Sequence, residues 1–222
     1  MPGGHLDRSG TRARRTGPDV AIPTNDDERR GLTRFSGAGV AVAVVDLLAV
    51  ICLVLFFVVG GPFGFVNDVA NAVVGVLSAV LAWTAWTVRR ERLQRLAPAA
   101  AALGAVLMVA GSMLVIFDVT GYFLAGLVSA VGAAFIGSWL LVANSLRWHA
   151  DELPQRVRRV GLAAGLLMLT GLLAVPGVLA GVDDQGVAPG YVSAAQLSWL
   201  GTYLLYPIWC FRLARTTNRR TR

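Results

Sequence analysis

Asp46 stands alone in an apolar run, Val44-Val45-Asp46-Leu47-Leu48-Ala49, where a carboxyl group is out of place unless it has work to do. Counted from Ala38 at 1.5 Å per residue, it lies about 12 Å into a ~30 Å hydrocarbon layer, close to the midplane. No arginine falls at that depth. A carboxylate buried without a counter-ion favours the neutral acid, and such a group serves as a proton- or cation-coupling site or ties helices together as a protonated hydrogen-bonder. Depth matching offers it partners: Thr170 and Tyr203 lie about 15 Å up from the same side and Tyr206 about 10 Å. Together Asp46, Thr170, Tyr203 and Tyr206 are the candidate intramembrane polar seam, joining the first, fifth and sixth spans. Gln196, Trp199, Tyr203 and Tyr206 recur at spacings of 3, 4 and 3, which puts an aromatic, hydrogen-bonding face on one helix. The same stripe is also what ordinary packing of Trp and Tyr would produce.

A second constellation is Asn67, Asp68 and Asn71, beside the turn Gly60-Gly61-Pro62-Phe63-Gly64, with Asp118 at a comparable level. Oxygen ligands in a group suit a hard cation or a polar headgroup. Asn67 or Asp68 would equally satisfy free amides at a helix start. Asp183, Asp184 and Gln185 lack calcium-loop spacing and read as a solvated loop.

Absent motifs narrow the chemistry. The two histidines, His5 in the tail and His149 in an inner loop, offer no cluster to hold a metal within the membrane, and GxSxG, HExxH and phosphate-cradling glycine loops do not occur. Neither a metal nor a cofactor is expected. A lipid- or isoprenoid-modifying enzyme using Asp46 as acid and Tyr206 as hydrogen-bond donor stays open. Cys52 and Cys210, at depths of about 21 Å and 4 to 5 Å, cannot meet the ~7 Å limit for a bridge and read as free thiols.

The elements that must position these residues are membrane spans. With 222 residues, 55% hydrophobic and 15% charged, and a mean hydropathy of +0.62, too little polar surface remains to cover a water-soluble globule. Six stretches reach the ~20 apolar residues that a bilayer crossing needs. They run near 38–59, 66–88, 97–117, 122–143, 160–180 and 193–213. The expected fold is all-α: a polytopic membrane protein of six transmembrane helices in three hairpins, over residues 35–213. Residues 1–34, with seven Arg, five acids and three Pro, read as a flexible cytoplasmic tail, and 214–222 as a second basic tail.

All 20 basic residues are arginine: seven in the first tail, four in 89–95, four in 147–159 and five in 212–222. The other three connections have none. Because arginine near span ends resists translocation, both termini are expected in the cytoplasm of a bacterial-type plasma membrane. The net charge of +7 then answers to topology and to anionic lipid headgroups, and no nucleic-acid partner is expected. Trp83, Trp86, Trp139, Trp148 and Trp209 fall at inner span ends, and Phe65, Tyr122 and Tyr191 at outer ones, as interfacial anchors would. Gly-aromatic pairs precede Trp83, Trp139 and Trp209 by 17 or 18 residues, a spacing that a threefold hairpin repeat and plain interfacial anchoring both explain.

Helices in lipid associate through small residues. Gly161 and Gly165, Gly104 and Gly111, and the stripe Asp68-Asn71-Gly75-Ala79-Ala82 mark the expected buried faces. Pro176 and Pro207 interrupt their spans and are expected to leave the Leu172 and Tyr203 carbonyls without a donor. The leading expectation is a small permease-like transport protein with a proton- or cation-coupled seam at Asp46. A structural or regulatory membrane subunit, acting through helix contacts with a second copy or another membrane partner and through its basic tail, is the alternative beside the lipid enzyme.

Overall fold

The computed structural model describes residues 25–87, 96–145 and 153–220. Helices α1 (Asn25–Val59), α2 (Phe63–Thr87), α3 (Leu96–Ile116) and α4 (Tyr122–Ser145) are followed by α5 (Gln155–Leu169), a 3₁₀ stretch (Thr170–Ala174) and α6 (Val175–Leu179). Beyond a short 3₁₀ turn come α7 (Gly190–Ala195), α8 (Leu197–Leu200), a π turn (Gly201–Leu205) and α9 (Tyr206–Arg220). The described residues contain no strand. Five helices are long and apolar enough to cross a membrane: 33–59, 63–87, 96–116, 122–145 and 155–179. The α7–α9 run forms a sixth leg, broken by a turn at Gln196.

The turns explain themselves. Gly60 and Gly61 take φ of 75° and 73°, which lets the chain reverse within three residues before Pro62 opens α2. The amide of Val66 bonds to the Pro62 carbonyl, so Asn67 and Asp68 lie inside the helix and are not its cap. At the next turn on this end, Asp183 reaches across from the 180–189 loop. Its Oδ2 accepts from the Gly121 N–H at 2.6 Å and its Oδ1 from that of Leu124 at 3.0 Å. The expected solvated loop therefore caps α4 from a distance, because the free amides at that helix start need an acceptor that their own turn lacks.

Neighbouring legs pack in sequence order, and α9 closes the ring against α1. Glycine sets how near they come. A Cβ on Gly104 of α3 would stand 2.5 Å from the Gly132 carbonyl of α4, and one on Gly165 of α5 would stand 2.8 Å from that of Gly137. Gly201 lies as close to α5, where a Cβ would meet the Met168 amide at 2.8 Å. The outward faces of α1 (Val44, Leu47, Leu48, Ile51, Val54) stay apolar and exposed, suited to acyl chains.

Several boundaries move. Helix α1 begins at Asn25, well before the expected end of the tail at residue 34, since no proline interrupts the chain between Pro23 and Pro62. Helix α9 runs to Arg220, with Ala214 and Thr217 buried, so the helix and its packing continue past residue 213. Trp139 and Trp209, expected as interfacial anchors, are instead core residues, 3% and 2% exposed. Trp148 and the arginines of 89–95 lie outside the described residues. On α2 the buried line runs through Asn71, Gly75, Ser78 and Ala82, with Ala79 only half-buried.

Candidate functional site

One face of α1, made of Gly39, Val42, Ala43, Asp46, Ala49 and Cys52, turns into the bundle. Asp46 is 0% exposed, and neither carboxyl oxygen has a hydrogen-bond partner. Its neighbours come from α1's two packing partners, α2 and the sixth leg. Tyr203, Tyr206 and Cys210 lie within electrostatic reach of it.

Both tyrosines are spoken for by α2. The Tyr206 hydroxyl donates to Ser78 Oγ at 2.9 Å, and Ser78 in turn donates to the Val74 carbonyl at 2.7 Å. The Tyr203 hydroxyl donates to Asn71 Oδ1 at 2.9 Å and approaches Asn67 Oδ1 at 3.5 Å. Asp68, half-buried, is the next residue along the helix from Asn67. The two constellations read separately in the sequence are therefore one line of polar groups. It descends α2 from the arginine-poor end, Asp68 to Asn67 to Asn71 to Ser78, with the tyrosines beside it and Asp46 at its foot. Ten residues of helix from Asp68 to Ser78 make it about 15 Å long.

Four candidates lie elsewhere. Thr170 spends its hydroxyl on the Leu167 carbonyl, 2.7 Å away, and although α5 packs against the π turn and α9, the tyrosine hydroxyls bond to α2. The seam thus joins the first, second and sixth legs. Asp118 is exposed at the α3–α4 turn with φ of 54° and takes no part in the hydrogen bonds along α2. Trp199 packs on α4, where a Cβ on Gly126 would touch its ring at 3.5 Å, and Gln196 is half-buried at the helix break. Together they do not share the tyrosine face, because the π turn between Trp199 and Tyr206 inserts an extra residue and rotates α9 relative to α8.

Pro207 accounts for that π turn. The Tyr206 N–H reaches back five residues to the Gly201 carbonyl, so the Thr202 carbonyl receives neither that amide nor one from Pro207, which has none. Pro176 is handled differently: the 3₁₀ stretch lets the Val175 N–H bond to the Leu172 carbonyl, so the carbonyl expected to be free is satisfied.

Toward the arginine-rich end the described residues pack around Trp209. Trp209 stacks on Tyr206 with ring centres 6.1 Å apart and meets Trp139 edge-on at 6.0 Å. Its indole N–H donates to Asn144 Oδ1 at 3.2 Å, while Asn144 donates to the Leu140 carbonyl and Arg158 to the Asn144 carbonyl. A cavity of about 30 Å³ bordered by Phe35, Trp86, Trp139 and Trp209 has room for a water or two and no more. Ser78 and Asn144 were missed in the sequence, where a serine among alanines and an amide near a span end look like filler. Ser78 sits seven residues after Asn71, which was the available signal.

Comparison with protein families, with curated proteins and with solved structures finds no match for this chain.

Proposed function

We propose that this chain is a small permease-like transport protein of a bacterial-type plasma membrane. Six legs cross the bilayer as three hairpins, both termini are cytoplasmic, and Asp46 takes up and releases a proton or cation as the coupling group. One observation carries the reading: Asp46 is completely buried and both of its oxygens lack a partner. An acid kept to tie helices together would spend its oxygens on hydrogen bonds, since leaving a buried polar group unmet costs about 1–3 kcal/mol. An acid that exchanges an ion has to be left available for it. The one-sided line of polar groups above it supports access from the arginine-poor end, and the tryptophan lock supports closure at the other. The interrupted sixth leg, with its proline and its π turn, is the kind of broken helix from which transport sites are built. A lipid-modifying role finds less support, because the Tyr206 hydroxyl is committed to Ser78 and fully buried.

The test is flux in sealed vesicles. Asp46→Asn preserves shape and removes ionisation, so it should assemble normally and abolish proton- or cation-linked flux. Undiminished flux in this variant would remove the proposal.

A further inference from the structure

We infer that Asp46 binds one monovalent cation in exchange for its proton, and that the ion enters from the end of the bundle carrying Asp68. The inference rests on the reading above and deepens it by naming the class of ligand.

Charge decides the valence. Facing Asp46 from the sixth leg are Tyr203, Tyr206 and Cys210, and from α2 the nearest titratable group is Asp68, up the polar line. On α1 itself, Cys52 lies further along the same buried face. Arg34, Arg212 and Arg215 are exposed at the arginine-rich end, and among the described residues no cluster of three His, Cys, Asp or Glu exists. One buried carboxylate therefore compensates one positive charge. A divalent ion would keep an unbalanced charge in a low-dielectric interior, and an anion would find no cation to receive it. Oxygens of the right kind are present: the carboxyl oxygens of Asp46, which have no partner, and the phenol oxygen of Tyr203, whose proton goes to Asn71.

The exchange balances. The carboxylic acid of Asp46 loses its O–H proton to water on the arginine-poor side as the cation arrives, leaving a carboxylate and cation pair of zero net charge. Entry from the other side would have to break the Tyr206, Trp209 and Trp139 stack and the Asn144 hydrogen bonds. Entry past Asp68 meets the hydrogen bonds of Tyr203 to Asn71 and Asn67.

Reaction with dicyclohexylcarbodiimide, which modifies protonated buried carboxyls, reads the site without any transport assay. The full chain in lipid nanodiscs is treated at fixed pH and ionic strength with sodium, potassium, ammonium, methylammonium, calcium or N-methylglucamine chloride, and adducts on Asp46 are counted by mass spectrometry. One or more of the small monovalent ions should cut labelling about threefold at twice its dissociation constant, by simple mass action, while N-methylglucamine does not. Asp68→Asn should slow the onset of that protection. Labelling that no ion changes would overturn the inference and leave a proton-only site, with the function proposed above intact. Protection by calcium equal to that by sodium would overturn the valence argument, and unaltered onset in Asp68→Asn would overturn the entry route. An unreactive Asp46 together with normal flux in Asp46→Asn would defeat both proposals.

Discussion

Replacing Asp46 by alanine should make the protein more stable. The substitution deletes two fully buried oxygens without partners, and each unmet buried polar group of this kind costs the folded state about 1–3 kcal/mol. Against that gain stands the space left behind. A carboxyl vacates about 25 Å³, which at about 24 cal/mol per Å³ costs about 0.6 kcal/mol. Alanine returns about as much through its better helix propensity, roughly 0.5 kcal/mol over aspartate. The balance is a gain of about 1–3 kcal/mol, or a rise in melting temperature of roughly 2–12 °C for a chain of this size. The contrast is Ser78→Ala, which strands the Tyr206 hydroxyl in the core and should lower stability by about 1–3 kcal/mol. Both can be followed by thermal unfolding in mild detergent, read by fluorescence of the six tryptophans. If Asp46→Ala loses stability by as much as Ser78→Ala does, the acid is a structural tie, and the argument from its unpartnered oxygens fails.

Two further outcomes test the scaffold. Gly104→Ala should push α3 from α4, since its methyl would stand 2.5 Å from a backbone carbonyl, and should cost about 1–3 kcal/mol in the same unfolding assay, whereas Gly37→Ala, with nothing within 4 Å, should cost nothing. Asp183→Ala removes the acceptor for the Gly121 and Leu124 amides and should cost about 0.5–2 kcal/mol, with faster amide exchange at the start of α4 as the local readout.

Much of the architecture was legible because it depends on one-dimensional quantities. Stretches of apolar residues, counted against the length a crossing requires, located five helices long enough to cross; the expected sixth is broken into shorter pieces, and helix continued past the apolar part at Asn25 and Arg220. Proline placement foretold both irregular stretches, since a missing N–H is a local fact, but not their forms: a tightened 3₁₀ stretch before Pro176 and a widened π turn before Pro207. The glycines expected at helix contacts met backbone at Gly104 and Gly165, as their missing side chains allow.

The membership of the polar seam was a different kind of question. Asp46, Tyr203 and Tyr206 were found by depth, yet depth is shared by every leg at the same level and says nothing about which legs touch. Thr170 qualified by height but spends its hydroxyl on the Leu167 carbonyl, while Asn67 and Asn71, set apart as a separate outer cluster, hold Tyr203. Composition and spacing determined on their own that a chain this apolar builds helices fit to span a membrane, with one acid deep among them. Ring closure of the sixth leg on the first, and the extra residue in the π turn, decided what surrounds that acid. Those depend on how separate helices rotate about their axes to bury small residues and satisfy hydroxyls, a balance of contacts between segments far apart in the chain that no local pattern encodes.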